Sequence, residues 1–173
     1  MSFPVAEHTL VILRHAKSSW KAPEPDHARP LNKRGRRDGV AAGEWLAGHV
    51  GPIDHVLCST ATRTRLTWER AQLGGAASRG VSYHDEIYEA PVGALVELIR
   101  KLDENVGTAL LLGHWPGVEE LVNLLAARDG HPGWAQMDEK FPTSAIAVLT
   151  VPGGWAALRD GTARLGAFVV PRG

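Results

Sequence analysis

The sequence predicts an α/β fold with three layers: a mainly parallel central sheet with helices on both faces. Short aliphatic and β-branched runs alternate along the chain with segments whose apolar residues recur at helical spacing. Such alternation is typical of parallel strands joined by crossover helices. The 173 residues suffice for one substantial core, and the sequence contains no linker, repeat or low-complexity tract. We therefore predict a single domain over residues 1–173.

The composition of each segment justifies the individual elements. Residues 9–13 form a β-branched and aliphatic run of the kind found in buried strands. Further strands are predicted at residues 53–58, 81–83, 108–112, 145–151 and 165–170, the last two either pairing as a hairpin or adding to the sheet edges. Helices are predicted at residues 33–47 behind an N-cap at Asn32, at 61–73, around 95–102, and around 118–125. Residues 127–142 are predicted to be a loop.

The charge, hydropathy and cysteine content of the chain argue against several classes of protein. Nineteen basic and nineteen acidic residues cancel, which removes an overall electrostatic basis for binding nucleic acid or a membrane, but not a local basic pocket. No apolar run approaches the ~18 residues of a membrane span, and the N-terminus does not resemble a signal peptide. The single cysteine, Cys58, excludes an internal disulfide. We expect a cytoplasmic protein, and the sequence indicates no oligomeric state.

Polar side chains follow four of the predicted strands. Ligands of such sheets bind beyond the carboxyl ends of the strands, so these side chains are expected to converge. In strand order they are Arg14 and His15; Arg63 and Arg65; Glu86 and Glu89; and His114. An isolated histidine or arginine at such a position is usually a solvated polar residue. The convergence of all four sets indicates a binding site.

This set of residue types favours phosphoryl chemistry. Arginine binds phosphoryl oxygens bidentately and stays charged, and a helix beginning after His114 would offer backbone N–H groups to the same anion. A neutral imidazole can attack phosphorus. Phosphoryl transfer depends mainly on positioning and charge stabilisation, which such a pocket supplies without a metal. The residues predict a metal-independent phosphatase with His15 as nucleophile and no cofactor.

The same residues resemble a known family. Residues 13–16, Leu-Arg-His-Ala, resemble the Arg-His-Gly motif of the histidine phosphatase superfamily, also called the phosphoglycerate mutase-like fold. Residues 59–67 resemble its second-arginine segment, 112–114 its second-histidine segment, and 141–145 the beginning of its late strand. With residues 14–18, 29–31 and 87–90 included, the pattern resembles the small SixA-type phosphohistidine phosphatases. The matches follow the family order from residue 10 to about 149.

The resemblance implies a role for each matching residue. His15 would be phosphorylated in the intermediate, Arg14, Arg63 and His114 would bind the phosphoryl oxygens, and Glu89 would be the proton donor. The substrate would be a phosphohistidine protein or, alternatively, a small phosphate ester. Ala16 departs from the family glycine. Lys21 replaces a phosphate-binding asparagine of the mutase branch, which argues against mutase activity.

Local geometry distinguishes the residues within two of these pairs. Side chains two positions apart on a helix point in directions that differ by about 200°, so Arg63 and Arg65 do not share a face. Arg63 is the closer of the two to the strand end. If residues 83–90 are extended, Glu89 points into the site and Glu86 into water. Glu86 remains the alternative proton donor if a turn interrupts the strand.

Three other classes of protein fit this sequence less well. A cysteine phosphatase needs Cys-x5-Arg, but Thr64 occupies the position where the arginine would follow Cys58. A metal hydrolase is disfavoured because the eight histidines form no close pair of the His-x-His or His-Glu-x-x-His kind. A non-catalytic phosphate- or phosphoprotein-binding module would use the same arginines without needing His15, and turnover separates it from an enzyme.

Overall fold

A computed structural model describes residues 7–21 and 23–173, and in this part six strands form one sheet. The strands are β1 (Glu7–Arg14), β2 (His55–Ser59), β3 (Val81–His84), β4 (Thr108–Gly113), β5 (Ile146–Pro152) and β6 (Arg164–Val169). Their order across the sheet is β3-β2-β4-β1-β5-β6. The pairs among β1 to β4 are parallel, whereas β5 is antiparallel to both β1 and β6. The predicted mainly parallel sheet is confirmed, and the last two strands form a hairpin that extends it.

Helices cover both faces of this sheet. They are α1 (Lys33–His49), α2 (Thr62–Leu73), α3 (Val92–Arg100), α4 (Gly117–Leu125) and α5 (Gly133–Glu139). Alternate residues of β1 point to opposite faces. Val11 and Leu13 pack in a core with α1 and α2, whereas Leu10 and Ile12 pack in a second core with α3, α4 and α5. Both faces of the central strands are therefore buried, which confirms the three-layer prediction.

The predicted element positions are close to the observed ones, with one exception. Asn32 caps α1 as predicted, because its side-chain oxygen accepts a hydrogen bond from the Gly35 N–H at 2.8 Å. The prediction of a loop over residues 127–142 is wrong, since α5 lies within it. This helix places only Trp134 and Met137 in the apolar core, and two positions are too few for a periodic signal. None of the helices in the described part of the chain has the length and apolar character needed to cross a membrane.

Glycines on α1 allow α1 and α2 to pack closely. A Cβ atom at Gly43 would lie only 1.9 Å from the backbone oxygen of Ala71, and one at Gly39 would lie 2.7 Å from the Cβ of Arg70. Real Cβ atoms do not approach a carbonyl oxygen to such distances, so no larger residue fits at Gly43 without separating the helices. This contact fixes α2, whose first turn contributes to the polar edge of the sheet.

We expect Gly43→Ala to lower the free energy of unfolding by about 2 kcal/mol or more, because the added methyl group has no space. Gly48→Ala is the matched control on the same helix, since a Cβ there meets nothing within 4 Å. Gly48→Ala should instead add about 1 kcal/mol through its better helix propensity. Urea unfolding of the two variants measures both values. Equal stabilities would show that α1 and α2 are not this close.

Candidate active site

Strand register brings the predicted site residues to one edge of the sheet. Arg14 pairs with Gly113 across β1 and β4, and Cys58 pairs with Leu112 across β2 and β4. The residues that follow these pairs consequently emerge together at the carboxyl ends of the strands. The ring centroids of His15 and His114 lie 5.3 Å apart. The sequence-predicted histidines thus form one cluster.

The imidazole of His15 is held in a single tautomer. Its Nδ1 lies 2.7 Å from the carbonyl oxygen of Ala16. A carbonyl oxygen only accepts hydrogen bonds, so Nδ1 carries the proton and Nε2 of the neutral ring bears the lone pair. The Ala16 N–H in turn donates to Thr67 Oγ1 at 2.9 Å, and the Thr67 hydroxyl donates to the carbonyl oxygen of Arg63 at 2.7 Å. Helix α2 therefore holds the backbone segment that orients His15.

His15 is uncharged at neutral pH. Burial lowers its pKa well below 6.5, and the nearby charges of Arg63 and Arg14 lower it further. The side chain is only 7% exposed. A neutral ring with Nε2 unprotonated is the form of histidine that can attack phosphorus.

Two arginine side chains lie beside this ring. Arg63 is only 6% exposed, and the Nε atoms of Arg14 and Arg63 are buried without a hydrogen-bond partner among the described residues. Arg14 Nη1 donates to the carbonyl oxygen of Phe141 at 2.8 Å, which fixes that side chain. Burial first, and then the charge of Arg63, lower the pKa of Arg14. Two guanidinium groups that repel each other in a partly buried pocket favour an anion between them.

Arg65 lies outside this pocket. Its side chain is exposed, and its guanidinium lies 5.0 Å from the centroid of the Tyr83 ring. The structure thus places Arg63, and not Arg65, with the histidines, as the helical geometry predicts.

His114 is the fourth member of the pocket. Its Nε2 lies 2.8 Å from Ser59 Oγ, which already accepts a hydrogen bond from the Ala61 N–H. If the Ser59 hydroxyl donates to Nε2, Nδ1 carries the proton and can donate to an anion, and Nδ1 is buried with no partner among the described residues. Burial, and next the charge of Arg63, lower the pKa of His114 to about 3. His114 is therefore neutral at physiological pH.

Comparison with known proteins agrees with this geometry. Residues 10–115 match the sequence pattern of the histidine phosphatase superfamily (branch 1). The chain belongs to the histidine phosphatase superfamily. It is therefore a phosphatase, as the sequence predicts.

The relatives of this histidine phosphatase include proteins of very similar length. An uncharacterised protein of Mycobacterium tuberculosis is 41% identical over 92% of the chain and its own full length. A protein assigned as phosphohistidine phosphatase SixA from Nakamurella multipartitia has 32% identity and a TM-score of 0.85, covering 98% of this chain and 99% of its own. A protein histidine phosphatase SixA complexed with tungstate has 25% identity and a TM-score of 0.77, covering 94% and 97%.

Asp26 is a residue of the histidine phosphatase site that the sequence did not reveal. The two terminal nitrogens of Arg63 donate to it: Nη1 to its backbone oxygen at 2.8 Å and Nη2 to its Oδ2 at 3.2 Å. Its carboxylate also accepts from the Tyr88 hydroxyl at 2.5 Å and from Arg29 Nε at 3.1 Å. The hydrogen bond from Tyr88, followed by that from Arg29, lowers the pKa of Asp26 to about 2. An ionised carboxylate therefore covers the outer edge of Arg63.

The structure corrects the geometric premise used for Glu89. Residues 83–90 are not extended, because β3 ends at His84, a 3-10 helix spans Asp85–Ile87, and Glu89 has a φ of +56°. Glu89 nevertheless lines a cavity of about 400 Å³ together with His114, with its side chain exposed at the rim. Glu86 is also exposed and lies 3.7 Å from the ring of His84. Of the two carboxylates, Glu89 alone lines this cavity.

The surroundings of Cys58 argue against a cysteine phosphatase. Burial raises the pKa of Cys58 to about 12, and its thiol donates to the carbonyl oxygen of Ser59 at 3.3 Å. Such a thiol stays protonated and does not act as a nucleophile. Within residues 7–21 and 23–173, no three or more His, Cys, Asp or Glu side chains are grouped so as to hold a metal ion.

Asp26→Asn should strengthen binding of inorganic phosphate by about fivefold, because it removes an anion that competes for Arg63 but keeps a hydrogen-bond acceptor of the same shape. The inhibition constant of phosphate against p-nitrophenyl phosphate hydrolysis measures this. Glu24→Gln, on the same loop, is the control and should change nothing, since Glu24 forms no ion pair with the described residues. Weaker phosphate binding by Asp26→Asn would instead mean that the carboxylate mainly aligns Arg63.

Proposed function

We propose that this histidine phosphatase hydrolyses phosphohistidine in proteins, without a metal ion, through an intermediate phosphorylated on His15. The observation that carries the proposal is the fixed tautomer of His15. Its Nδ1 hydrogen bond to Ala16 leaves Nε2 unprotonated beside Arg14, Arg63 and His114. The names of the SixA neighbours support the same substrate class.

In the proposed first step, Nε2 of His15 attacks phosphorus while the bond from phosphorus to the leaving group breaks. Arg14, Arg63 and His114 bind the nonbridging oxygens, whose charge must be stabilised throughout the transfer. The Nδ1 proton stays on His15 and continues to donate to Ala16. In the second step water attacks phosphorus, the N–P bond breaks, and its electron pair returns to Nε2. Phosphate is released with both protons of the water, as dihydrogen phosphate, and His15 is restored as a neutral imidazole, so neither step needs an added proton on His15.

The acids near the pocket favour a nitrogen leaving group. Asp26, with a pKa of about 2, is ionised and does not supply a proton at neutral pH. Glu89 is exposed at the cavity rim. An alkoxide leaving group gains roughly 10²- to 10⁴-fold from a well-placed acid, whereas a phosphohistidine can already carry its proton on the other ring nitrogen. A substrate with an N–P bond therefore has the least need of a proton donor in this site.

A small phosphate ester is the second candidate substrate. The cavity beside His114, about 400 Å³ in volume, would accommodate a small leaving group. Glu89 would then be the proton donor, because it is the carboxylate at that rim.

The intermediate can be observed directly. Enzyme quenched rapidly during turnover of labelled substrate should carry phosphate on His15, labile in acid and stable in alkali. His15→Ala should lose both the label and activity, whereas His49→Ala, an exposed histidine at the end of α1, should retain both. Chelators should leave the rate unchanged. An acid-stable label, an active His15→Ala enzyme, or inactivation by EDTA that zinc or magnesium reverses would disprove the mechanism.

Glu89→Gln tests the proton donor and the substrate class together. It should slow alkyl phosphate hydrolysis by roughly 10²-fold or more, because an alkoxide needs the proton, but affect p-nitrophenyl phosphate and phosphohistidine only mildly. The measurement is kcat/KM on the three substrates. Glu86→Gln is the matched control and should be neutral on all three. Equal losses on every substrate would show that Glu89 has another role, and an unchanged alkyl phosphate rate would remove it from the site.

A further inference from the structure

A continuous basic surface adjoins the site, although the chain as a whole has no net charge. We define the basic surface as Lys17, Lys21, Lys33, Arg36 and Arg37. All five line a cleft of about 760 Å³, and the last three also line an adjoining cleft of about 520 Å³. Lys17 is two residues after His15, so their Cα atoms lie within about 7.6 Å. The basic surface therefore begins next to the nucleophile.

The charges of the basic surface are not neutralised within the chain. Among residues 7–21 and 23–173, no carboxylate lies within 4.0 Å of the charged nitrogens of these five side chains, and residues 1–6 and 22 include no Asp or Glu. Neighbouring Arg34 and Arg172 differ, because both pair with the buried Asp38. Glu44 is an acidic side chain that lines the second cleft, beside Lys33, Arg36 and Arg37. The basic surface thus presents uncompensated positive charge to solvent.

The position of these cations does not favour folding. Lys33, Arg36 and Arg37 lie within the first five residues of α1, whose first turn contains no acidic residue. The positive end of the helix dipole disfavours cations there, so helix stability does not explain them. A charge pattern that opposes local stability is typical of a binding surface.

An exposed tryptophan lies in the same cleft. Trp20 is 74% exposed, yet the guanidinium of Arg29 lies 3.6 Å from its ring centroid. Arg29 is only 7% exposed and is fixed by hydrogen bonds to Ser18 and Ser19. A large aromatic side chain supported in this way, beside cations, is typical of the residues that dominate protein–protein interfaces.

We propose that the basic surface and Trp20 form the docking surface for an acidic face of the phosphorylated protein. This inference rests on the proposed function, because the partner would present its phosphohistidine to His15. The surface begins at the active-site loop and extends along α1, which suits a folded protein larger than the phosphorylated residue. Charges outside the pocket would then select among phosphoproteins that share the same phosphoryl group.

Binding is tested first without phosphorylation, using a fluorescein-labelled peptide with six consecutive glutamates and a matched glutamine peptide. Fluorescence anisotropy should give a Kd roughly tenfold lower for the glutamate peptide at about 20 mM salt, with the preference lost near 300 mM as the charges are screened. Lys33→Glu/Arg37→Glu should abolish the preference. The matched control is Lys101→Glu/Arg159→Glu. It reverses the charge of one exposed lysine and one exposed arginine at the end of the sheet opposite the active site, and it should retain the preference.

Measurements of kcat/KM on phosphorylated peptides then test the docking surface separately from the proposed function. With phosphohistidine placed beside the same glutamate or glutamine runs, wild-type kcat/KM should favour the acidic peptide about tenfold. Lys33→Glu/Arg37→Glu should remove that preference and leave p-nitrophenyl phosphate hydrolysis unchanged. If the enzyme hydrolysed neither of the two phosphohistidine peptides, the proposed function would be overturned. The anisotropy measurement would still test the docking surface, because it uses unphosphorylated peptides. Equal binding of the two unphosphorylated peptides, or tighter binding of a single-stranded oligonucleotide of equal charge, would overturn the docking surface.

Discussion

The parallel register of β1, β2 and β4 determines which side chains meet in this protein. With Arg14 opposite Gly113 and Cys58 opposite Leu112, the next residues of all three strands emerge at one edge. A slip of one residue would exchange the faces of a strand and disrupt both cores. Because Val11, Leu13 and their neighbours are fully buried on two sides, the hydrophobic cores enforce the register. The geometry of the site is therefore a consequence of core packing.

The electrostatics of the site follow from placing cations under that edge. Besides burial, the charge of Arg63 lowers the pKa of Arg14, His15 and His114, so one guanidinium influences the whole pocket. Burial lowers the pKa of both histidines more than Arg63 does, and both therefore remain neutral. In the proposed mechanism His15 is the nucleophile and His114 a hydrogen-bond donor. The ionised Asp26 compensates Arg63 from the loop side. In the proposed mechanism the same carboxylate would share Arg63 with the phosphoryl group of the substrate.

Sequence reasoning correctly placed the candidate residues that follow strand ends, but it missed or misplaced those that lie in loops. His15, Arg63 and His114 follow strand ends, and periodicity together with the rule for parallel sheets was enough to bring them together. Asp26 lies in a proline-rich loop, and only tertiary contacts with Arg63 and Tyr88 reveal its position. The premise for Glu89 failed because the chain turns directly after His84, and a left-handed φ at a glutamate leaves no pattern in the sequence.

The surroundings of the pocket differ in charge from one side to the other. Glu89 and Glu120 line the cavity beside His114, whereas the basic surface begins beside His15. Opposite charges of this kind cancel in the net charge but persist locally, since screening acts over about 8 Å at physiological ionic strength. Such an arrangement exerts little force on a distant partner and a strong orienting force on one in contact. In the proposed mechanism Arg14, Arg63 and His114 contact only the phosphoryl group, which all phosphorylated substrates share. The proposed docking surface, and not the pocket, would therefore distinguish among these substrates.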